Sequence, residues 1–217
     1  MNKNEKDRMP REPMLPRVDE LEKGTISELL PGQACENILL ADPDLSETEA
    51  SDAAFDSCVL KNVDLSASSV KGLRMLDVSF EHGNLANTNM DEAYLDRVRF
   101  VSVRMTGVKI SGAKIKDVVF KNCKIDLSAF RFSKFKNVRF ENCVLSEADF
   151  VSVEFENVVF AECDMLNADL SQTKLRNVDV SGSKIEGLKA GPEQLRGMTI
   201  DYSQVPYIVQ LTGVTIK

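Results

Sequence analysis

The chain has 217 residues, of which 43% are hydrophobic, and carries a formal net charge of −7. This length and composition can bury one sizeable core, which excludes disorder throughout and favours a single domain with tails. The sequence has no stretch of about 18 apolar residues and no charged leader before a short apolar run, so we expect neither a membrane span nor secretion and predict a cytoplasmic protein.

The beginning of the chain divides into a polar arm and a short folded lead-in. The arm, residues 1–16, contains three prolines, Pro10, Pro13 and Pro16. A polar segment of this kind buries too little apolar surface to fold, so it predicts a disordered arm. Residues 19–30 predict a short helix ended by a Pro-Gly pair, and residues 33–52 predict a degenerate first coil. We therefore assign 17–52 to an N-terminal helix and that coil.

Large apolar residues recur at almost every fifth position from Phe55 to Ile185, and the phase never slips. A period of five is incompatible with an amphipathic helix, because five steps of about 100° turn each apolar residue some 140° from the last. A small or β-branched residue often lies two positions earlier, which is the spacing of a strand. Since the next pair starts three residues later, the chain must turn once per repeat.

The turns and a second period indicate how the repeats close into coils. The position two residues after each large apolar residue is rich in Gly, Asn and Asp, which tolerate the positive φ of a type II corner. A period of twenty shows that four repeats make one coil. Three columns carry it: Val78, Val98, Val118, Val138, Val158 and Val178; Phe80, Phe100, Phe120, Phe140 and Phe160; Cys123, Cys143 and Cys163. At β spacing, residues 53–187 predict roughly seven coils and a rod of roughly 32 Å.

These repeats resemble the pentapeptide-repeat family, whose unit is Ala, then Asp or Asn, then Leu or Phe, followed by two variable residues. The best matches are Ala148, Asp149, Phe150 and Ala168, Asp169, Leu170. The resemblance implies an all-β fold, a right-handed quadrilateral β-helix over residues 53–187, and a bacterial source. We expect short helical caps at both ends of this solenoid.

The repeat ends after Ile185, and residues 188–217 predict a C-terminal cap. A short helical turn is expected from Pro192, a second helix over 203–212, and a strand-like segment over 214–216. Some cover is physically required, because an uncovered coil would offer unpaired backbone groups to other chains.

This ending resembles the C-terminal segment of quinolone-resistance-type members of the family. The resemblance implies that the terminal helix covers the last coil and also pairs two rods. The candidate contacts of such a homodimer are Ile208, Val209 and Leu211.

Residue types that carry chemistry do not form a catalytic set in this sequence. His82, the sole histidine, falls at an outward corner, and neither a phosphate-binding glycine loop nor an HExxH motif occurs. The five cysteines include no CxxC pair, which argues against a zinc site and a disulfide framework. Three of them fall at inward positions, where cysteine behaves as a small hydrophobe. We therefore expect no enzyme activity and no cofactor.

Charge is the most informative exterior feature. Residues 97–139, which we call the basic girdle, are rich in Lys and Arg and contain only Asp117 and Asp126 as acids. Residues 140–170 then carry acids and no base. The girdle is open to two interpretations: it binds an anionic partner, or its cations pair with acids of the neighbouring coil. The candidate partner surface consists of Lys114, Lys116, Lys134, Lys136, Leu127 and Phe132.

The sequence therefore predicts a non-enzymatic interaction or scaffold protein that presents a rigid, charge-banded rod to a protein partner. The family resemblance implies a sharper alternative, in which an acidic rod imitates duplex DNA and modulates DNA gyrase or another topoisomerase. The basic girdle interrupts the continuous acidic face that such mimicry needs. A second alternative is a nucleic-acid binder that uses the girdle itself.

Overall fold

The computed structural model describes residues 9–214 as a solenoid of about eight turns built from parallel strands. Its eleven strands belong to one sheet system. They are β1 (Glu22–Gly24), β2 (Ala34–Glu36), β3 (Ile38–Ala41), β4 (Ala54–Asp56), β5 (Val59–Lys61), β6 (Arg74–Glu81), β7 (Tyr94–Val101), β8 (Lys114–Lys121), β9 (Lys134–Glu141), β10 (Glu154–Ala161) and β11 (Val178–Asp179). Two 3₁₀ turns, Pro192–Leu195 and Tyr202–Gln204, and one helix, α1 (Val205–Leu211), follow.

The strands pair in the register that the twenty-residue period predicts. In β8 and β9, for example, Val118 lies beside Val138 and Phe120 beside Phe140. Two of the four faces carry these strands, and the other two are joined only by single bridges such as Arg104 to Lys124 and Lys109 to Ala129. The rod is therefore a four-sided β-helix, as expected.

The parallel ladder extends beyond both ends of the predicted repeat. At the C-terminal end, Asp179 still bridges Thr199. At the N-terminal end, residues 33–52 form a regular coil, with Cys35 beside Phe55 and Asp44 bridged to Asp64. The rod is consequently longer than the roughly seven coils predicted from residues 53–187.

Every corner of the coil turns on a residue with positive φ. The corners include the expected Asn and Gly, as at Asn137 (φ 54°) and Gly107 (φ 70°). They also include bulky residues, as at Leu127 (φ 57°) and Phe132 (φ 59°). The predicted corner geometry is confirmed, and it holds even where the sequence departs from turn-forming residues.

Phenylalanines fill much of the core in two stacked columns. In the first, the ring centroids of Phe120 lie 5.0 Å from Phe100 and 4.7 Å from Phe140, with nearly parallel planes. In the second, Phe130 stacks on Phe150 at 4.9 Å. These rings are fully buried, so the inward positions predicted from the five-residue period are correct.

The predicted helix over 19–30 is wrong. Residues Glu22–Gly24 are instead strand β1, which pairs in parallel with β3. Gly24 allows this close approach, since a Cβ there would lie 3.0 Å from Cδ1 of Ile38. The buried side chains of Leu21 and Leu29 complete the packing of this first turn, which covers the edge of the next coil with a strand rather than a helix.

The predicted disorder of the arm is also wrong for residues 9–16, while residues 1–8 lie outside the described residues. Residues 9–16 have no regular secondary structure, yet Pro10 is buried against the rod. Arg11 and Met14 contact corner residues of the rod across more than sixty residues of sequence. The arm is therefore docked on the rod.

The C-terminal cap agrees with the predicted helices. Gln204 is buried and its amide donates to the carbonyls of Val180 (2.7 Å) and Ser183 (2.6 Å), so it covers backbone carbonyls at the end of the solenoid. Ile208 packs on the same core. Of the strand expected over 214–216, Val214 has no regular structure and the last two residues lie outside the described part of the chain.

Candidate interaction surface

Three of the four lysines of the predicted partner surface form ion pairs with carboxylates of the same chain. Lys116 lies 3.2 Å from Asp96, Lys134 lies 3.1 Å from Glu154, and Lys136 lies 2.7 Å from Glu156. These pairs join neighbouring strands at the predicted register. Lys114 differs, because its neighbours along the column are Tyr94 and Lys134.

Most of the remaining girdle is neutralised in the same way. The further ion pairs are those of Arg97 with Asp77, Arg99 with Glu12, Lys121 with Glu141, Lys124 with Asp126, Arg131 with Asp149 and Arg139 with Glu141. Apart from the buried pair of Arg97 with Asp77, these pairs are at least partly exposed and contribute little stability, about 0.2 to 1 kcal/mol each, but they leave few cations free for a ligand. The pairing interpretation of the girdle therefore accounts for most of its cations.

Three exposed cations stand apart from this pairing. Among residues 9–214, Arg104, Lys109 and Lys114 have no carboxylate within ion-pair distance. They follow one another at five-residue spacing on three successive faces of one coil. The sequence pattern singled out only Lys114, because the absence of partners for the other two depends on which side chains lie on the neighbouring coils.

Two apolar side chains project from the next coil. Leu127 and Phe132 are 56% and 67% exposed, and both lie on corners with positive φ, at either edge of one face. Positive φ is strained for bulky side chains. The sequence predicted both residues as partner contacts, and the structure places them together on one coil.

The coil below offers these side chains no support, because its two matching corners are Gly107 and Gly112. Backbone hydrogen bonds join the coils here, from the amide of Gly107 to Asp126 and from that of Gly112 to Arg131. Leu127 and Phe132 therefore overhang two corners of the neighbouring coil that carry no side chain. We call this arrangement the ledge: Leu127, Phe132, Gly107, Gly112, Arg104, Lys109 and Lys114.

The five cysteines are buried, and the sole histidine is exposed. Cys123, Cys143 and Cys163 are buried, and the thiol of Cys143 donates to the carbonyl of Phe120 at 3.3 Å. The neighbouring thiol of Cys123, together with burial, raises the pKa of Cys143 to about 12, which keeps this thiol protonated. His82 lies exposed on a corner, as predicted.

Metal-binding groups and clefts are few within residues 9–214. No cluster of three or more His, Cys, Asp or Glu residues there could hold a metal ion. A cavity of about 550 Å³ opens near the C-terminal end and is lined by Lys174, Arg176 and Arg196 among others. In the same part of the chain, none of the helices has the length and apolar character needed to cross a bilayer.

Comparison with known proteins gives a family match and distant structural likenesses. The family model described as the pentapeptide repeat region matches residues 73–142 and 133–208. A search of curated proteins returned no match.

Two solved structures illustrate the structural likeness. HetL, a pentapeptide repeat protein involved in heterocyst differentiation regulation from the cyanobacterium Nostoc sp. strain PCC 7120, is 14% identical, with a TM-score of 0.47, over 82% of this chain and 89% of HetL. QnrB1, a plasmid-mediated fluoroquinolone resistance protein, is 16% identical in a trypsin-treated form, with a TM-score of 0.39, over 92% of this chain and 100% of that one.

Proposed function

We propose that this chain, which belongs to the pentapeptide-repeat family, is a non-enzymatic interaction protein that binds an acidic protein partner at the ledge. The observation that carries the proposal is the pair of exposed apolar side chains on strained corners, Leu127 and Phe132. The rod itself has no need of them, because Asn87 and Asn167 occupy the same corner column as Leu127 with the same positive φ. A bulky residue in this conformation costs roughly 1 to 2 kcal/mol relative to glycine. A binding role explains why such residues occur here.

The chemistry of the ledge defines the chemistry of its partner. Exposed apolar side chains bury favourably against apolar groups, which a folded protein or peptide supplies. The three cations without internal partners, Arg104, Lys109 and Lys114, favour carboxylates around that apolar contact. We therefore infer an acidic protein segment that inserts an apolar side chain beside Phe132.

A nucleic acid fits the surface less well. Most cations of the girdle are already paired with acids of the protein, as in Lys134 with Glu154. The net charge of −7 adds long-range repulsion toward a phosphate backbone. Leu127 and Phe132 would also gain little from phosphates, whereas they gain from an apolar partner surface.

The proposal can be tested with corner substitutions that leave the rod intact. In the double variant Leu127→Asn, Phe132→Asn we expect stability equal to wild type or up to about 2 kcal/mol higher, because asparagine tolerates positive φ. Partner binding should be lost. Proteins retained by the wild-type chain from a lysate and lost with the variant would then be purified, and their affinities measured by calorimetry.

The matched control is the double variant Ser152→Asn, Gln172→Asn, which changes corners of the same column as Phe132 but lies outside the ledge. It should bind as the wild type does, while Lys109→Glu should weaken binding and reduce its dependence on salt. Equal affinity of the ledge variant and wild type would contradict the proposal. Retention of a 20-base-pair duplex at about 0.15 M salt, lost with Lys109→Glu, would favour the nucleic-acid alternative instead.

A further inference from the structure

The docked arm is held on the rod by a small set of directed contacts. The guanidinium of Arg11 donates to Oδ2 of Asp117 through Nε at 2.8 Å and through Nη2 at 2.6 Å. The backbone N–H of Met14 donates to Oδ1 of Asp77 at 2.8 Å. Glu12 lies 3.5 Å from Arg99 in a more exposed pair. These contacts combine a side chain and a backbone group, as peptide ligands do.

The arm and the corner column share a spacing. Asp77 and Asp117 lie two coils apart in one column of corners, which is roughly 9.6 Å at β spacing. Arg11 and Met14 are three residues apart, and three residues of polyproline II span roughly 9.3 Å. The prolines of the arm recur at the same three-residue interval: Pro10, Pro13 and Pro16. An extended peptide can therefore run along the rod axis with one contact for every two coils.

The receptor side of this contact is fixed by the rod alone. Arg97 donates to both oxygens of Asp77, at 2.7 Å and 2.6 Å, and Asn137 donates to Oδ1 of Asp117 at 3.0 Å. With the arm docked, the side chains of Asp77 and Asp117 are only 7% and 1% exposed. Burial opposes ionisation of Asp117, but hydrogen bonds from Arg11 and Asn137 outweigh it and hold its pKa below the usual range.

The corner geometry does not require a carboxylate at this point. Asn137 and Asn157 follow Asp117 in the same column with the same positive φ, and the amide of Asn157 donates to Asn137. A buried carboxylate, unlike an amide, is stable only when a cation lies beside it, and Arg11 of the arm is that cation. Asp117 thus selects arginine.

We propose that the arm groove, formed by Asp77, Arg97, Asp117 and Asn137, is a recognition site for an extended, arginine-bearing peptide of a partner protein. The chain's own arm occupies this groove as a tethered competitor. The site lies on a different corner column from the ledge, so the proposal is independent of the function proposed above. Its ligand is an extended segment with an arginine and a free backbone N–H three residues later.

The test uses the full-length chain and a labelled peptide of residues 9–17. Wild-type protein should bind the peptide weakly, because its own arm competes at an effective concentration of order millimolar. In Arg11→Ala protein the arm loses both guanidinium contacts with Asp117, so we expect the apparent affinity for the peptide to rise about tenfold in fluorescence anisotropy. A peptide that itself carries Arg11→Ala should bind at least about tenfold more weakly than the native peptide.

The matched receptor variant adds Asp117→Asn to Arg11→Ala protein. Since asparagine already occupies this column, the corner should stay folded, which thermal unfolding will check, while the peptide should no longer bind. Asp126→Asn, placed on another face, should leave binding unchanged. If Arg11→Ala lowers the unfolding temperature, Arg11→Lys serves as the second variant, since lysine keeps the charge but lacks the planar guanidinium group. Absence of binding to folded Arg11 variants at about 1 mM peptide, or equal binding after Asp117→Asn, overturns the proposal.

Discussion

At the residue scale, the identity of each corner residue decides what the rod displays. All corners share one backbone conformation, so asparagine and glycine are the least strained choices. Departures from them are informative. Asp117 on one corner binds the arm, and Leu127 and Phe132 on others project apolar surface. Both proposed binding sites thus use corner residues other than asparagine and glycine.

Core residues obey a different rule, because each contacts its equivalents above and below. Phe120 stacks on two parallel rings, whereas Phe80, at the start of the column, has one tilted neighbour at 5.9 Å. We predict that Phe120→Leu costs about 1 kcal/mol more stability than Phe80→Leu, since it loses two stacked contacts rather than one. Urea denaturation of both variants measures the difference. Equal costs would show that the stacking adds nothing to burial.

The sequence was informative about residues wherever the argument depended on periodicity alone. It identified Phe120 as inward and Leu127 and Phe132 as exposed corners, because position within the repeat decides both. It could not identify the contact of Arg11 with Asp117, which joins residues 106 positions apart. No repeat relates the arm to the rod, so only the folded chain brings the two together.

At the element scale, the first strand departs from the twenty-residue period of the repeat. Strand β1 pairs with β3 at an offset of sixteen residues, as in Glu22 with Ile38, whereas later strands pair at twenty. The shorter first turn falls out of phase with the repeat, so the segment was mistaken for a helix. Tertiary pairing across Gly24 outweighed the local pattern.

The lysine columns on β8 and β9 allow a prediction about charge along one face. Lys114 lies beside Lys134, which pairs with Glu154, and Lys116 lies beside Lys136, which pairs with Glu156. Replacing both acids, Glu154→Lys with Glu156→Lys, should therefore put cations side by side on β8, β9 and β10 in both columns. We predict a loss of about 1 kcal/mol or more, because adjacent like charges repel across strands. Thermal unfolding at low salt should show it, and added salt should diminish it.

The control for this prediction restores the alternation of acidic and basic side chains across β8, β9 and β10. Adding Lys134→Glu and Lys136→Glu to that variant places an acid on β9 between the cations of β8 and β10, so most of the lost stability should return. A quadruple variant as unstable as the double would contradict an electrostatic cause. It would indicate instead that side-chain packing on this face sets the stability.

At the scale of the whole molecule, the two ends of the rod are closed differently. The N-terminal end is covered by strand β1, and the C-terminal end by buried Gln204 and by Ile208 of α1. Ile208, a predicted dimer contact, therefore packs on the core of its own rod as part of the cap. Val209 and Leu211, the other candidates, are half-buried.

Exposed apolar surface at the same end supports pairing of two rods there. Tyr202 is 93% exposed and Val205 39%, and their three-residue spacing favours a common face. The sequence did not single them out, because their exposure depends on how the cap seats on the last coil. An end-to-end pair through this face would roughly double the length of the rod, as the topoisomerase alternative requires.

We predict that the full-length chain is a dimer and that Tyr202→Glu with Val205→Glu makes it a monomer, because like charges would face each other across a two-fold interface. Size-exclusion chromatography with light scattering measures the mass. Ser203→Glu, which adds one negative charge at a neighbouring exposed position, should leave the dimer intact. A monomeric wild-type chain would refute the pairing. If the dimer forms but leaves the supercoiling activity of DNA gyrase unchanged at a large molar excess, the DNA-mimic alternative fails, while binding at the ledge is unaffected.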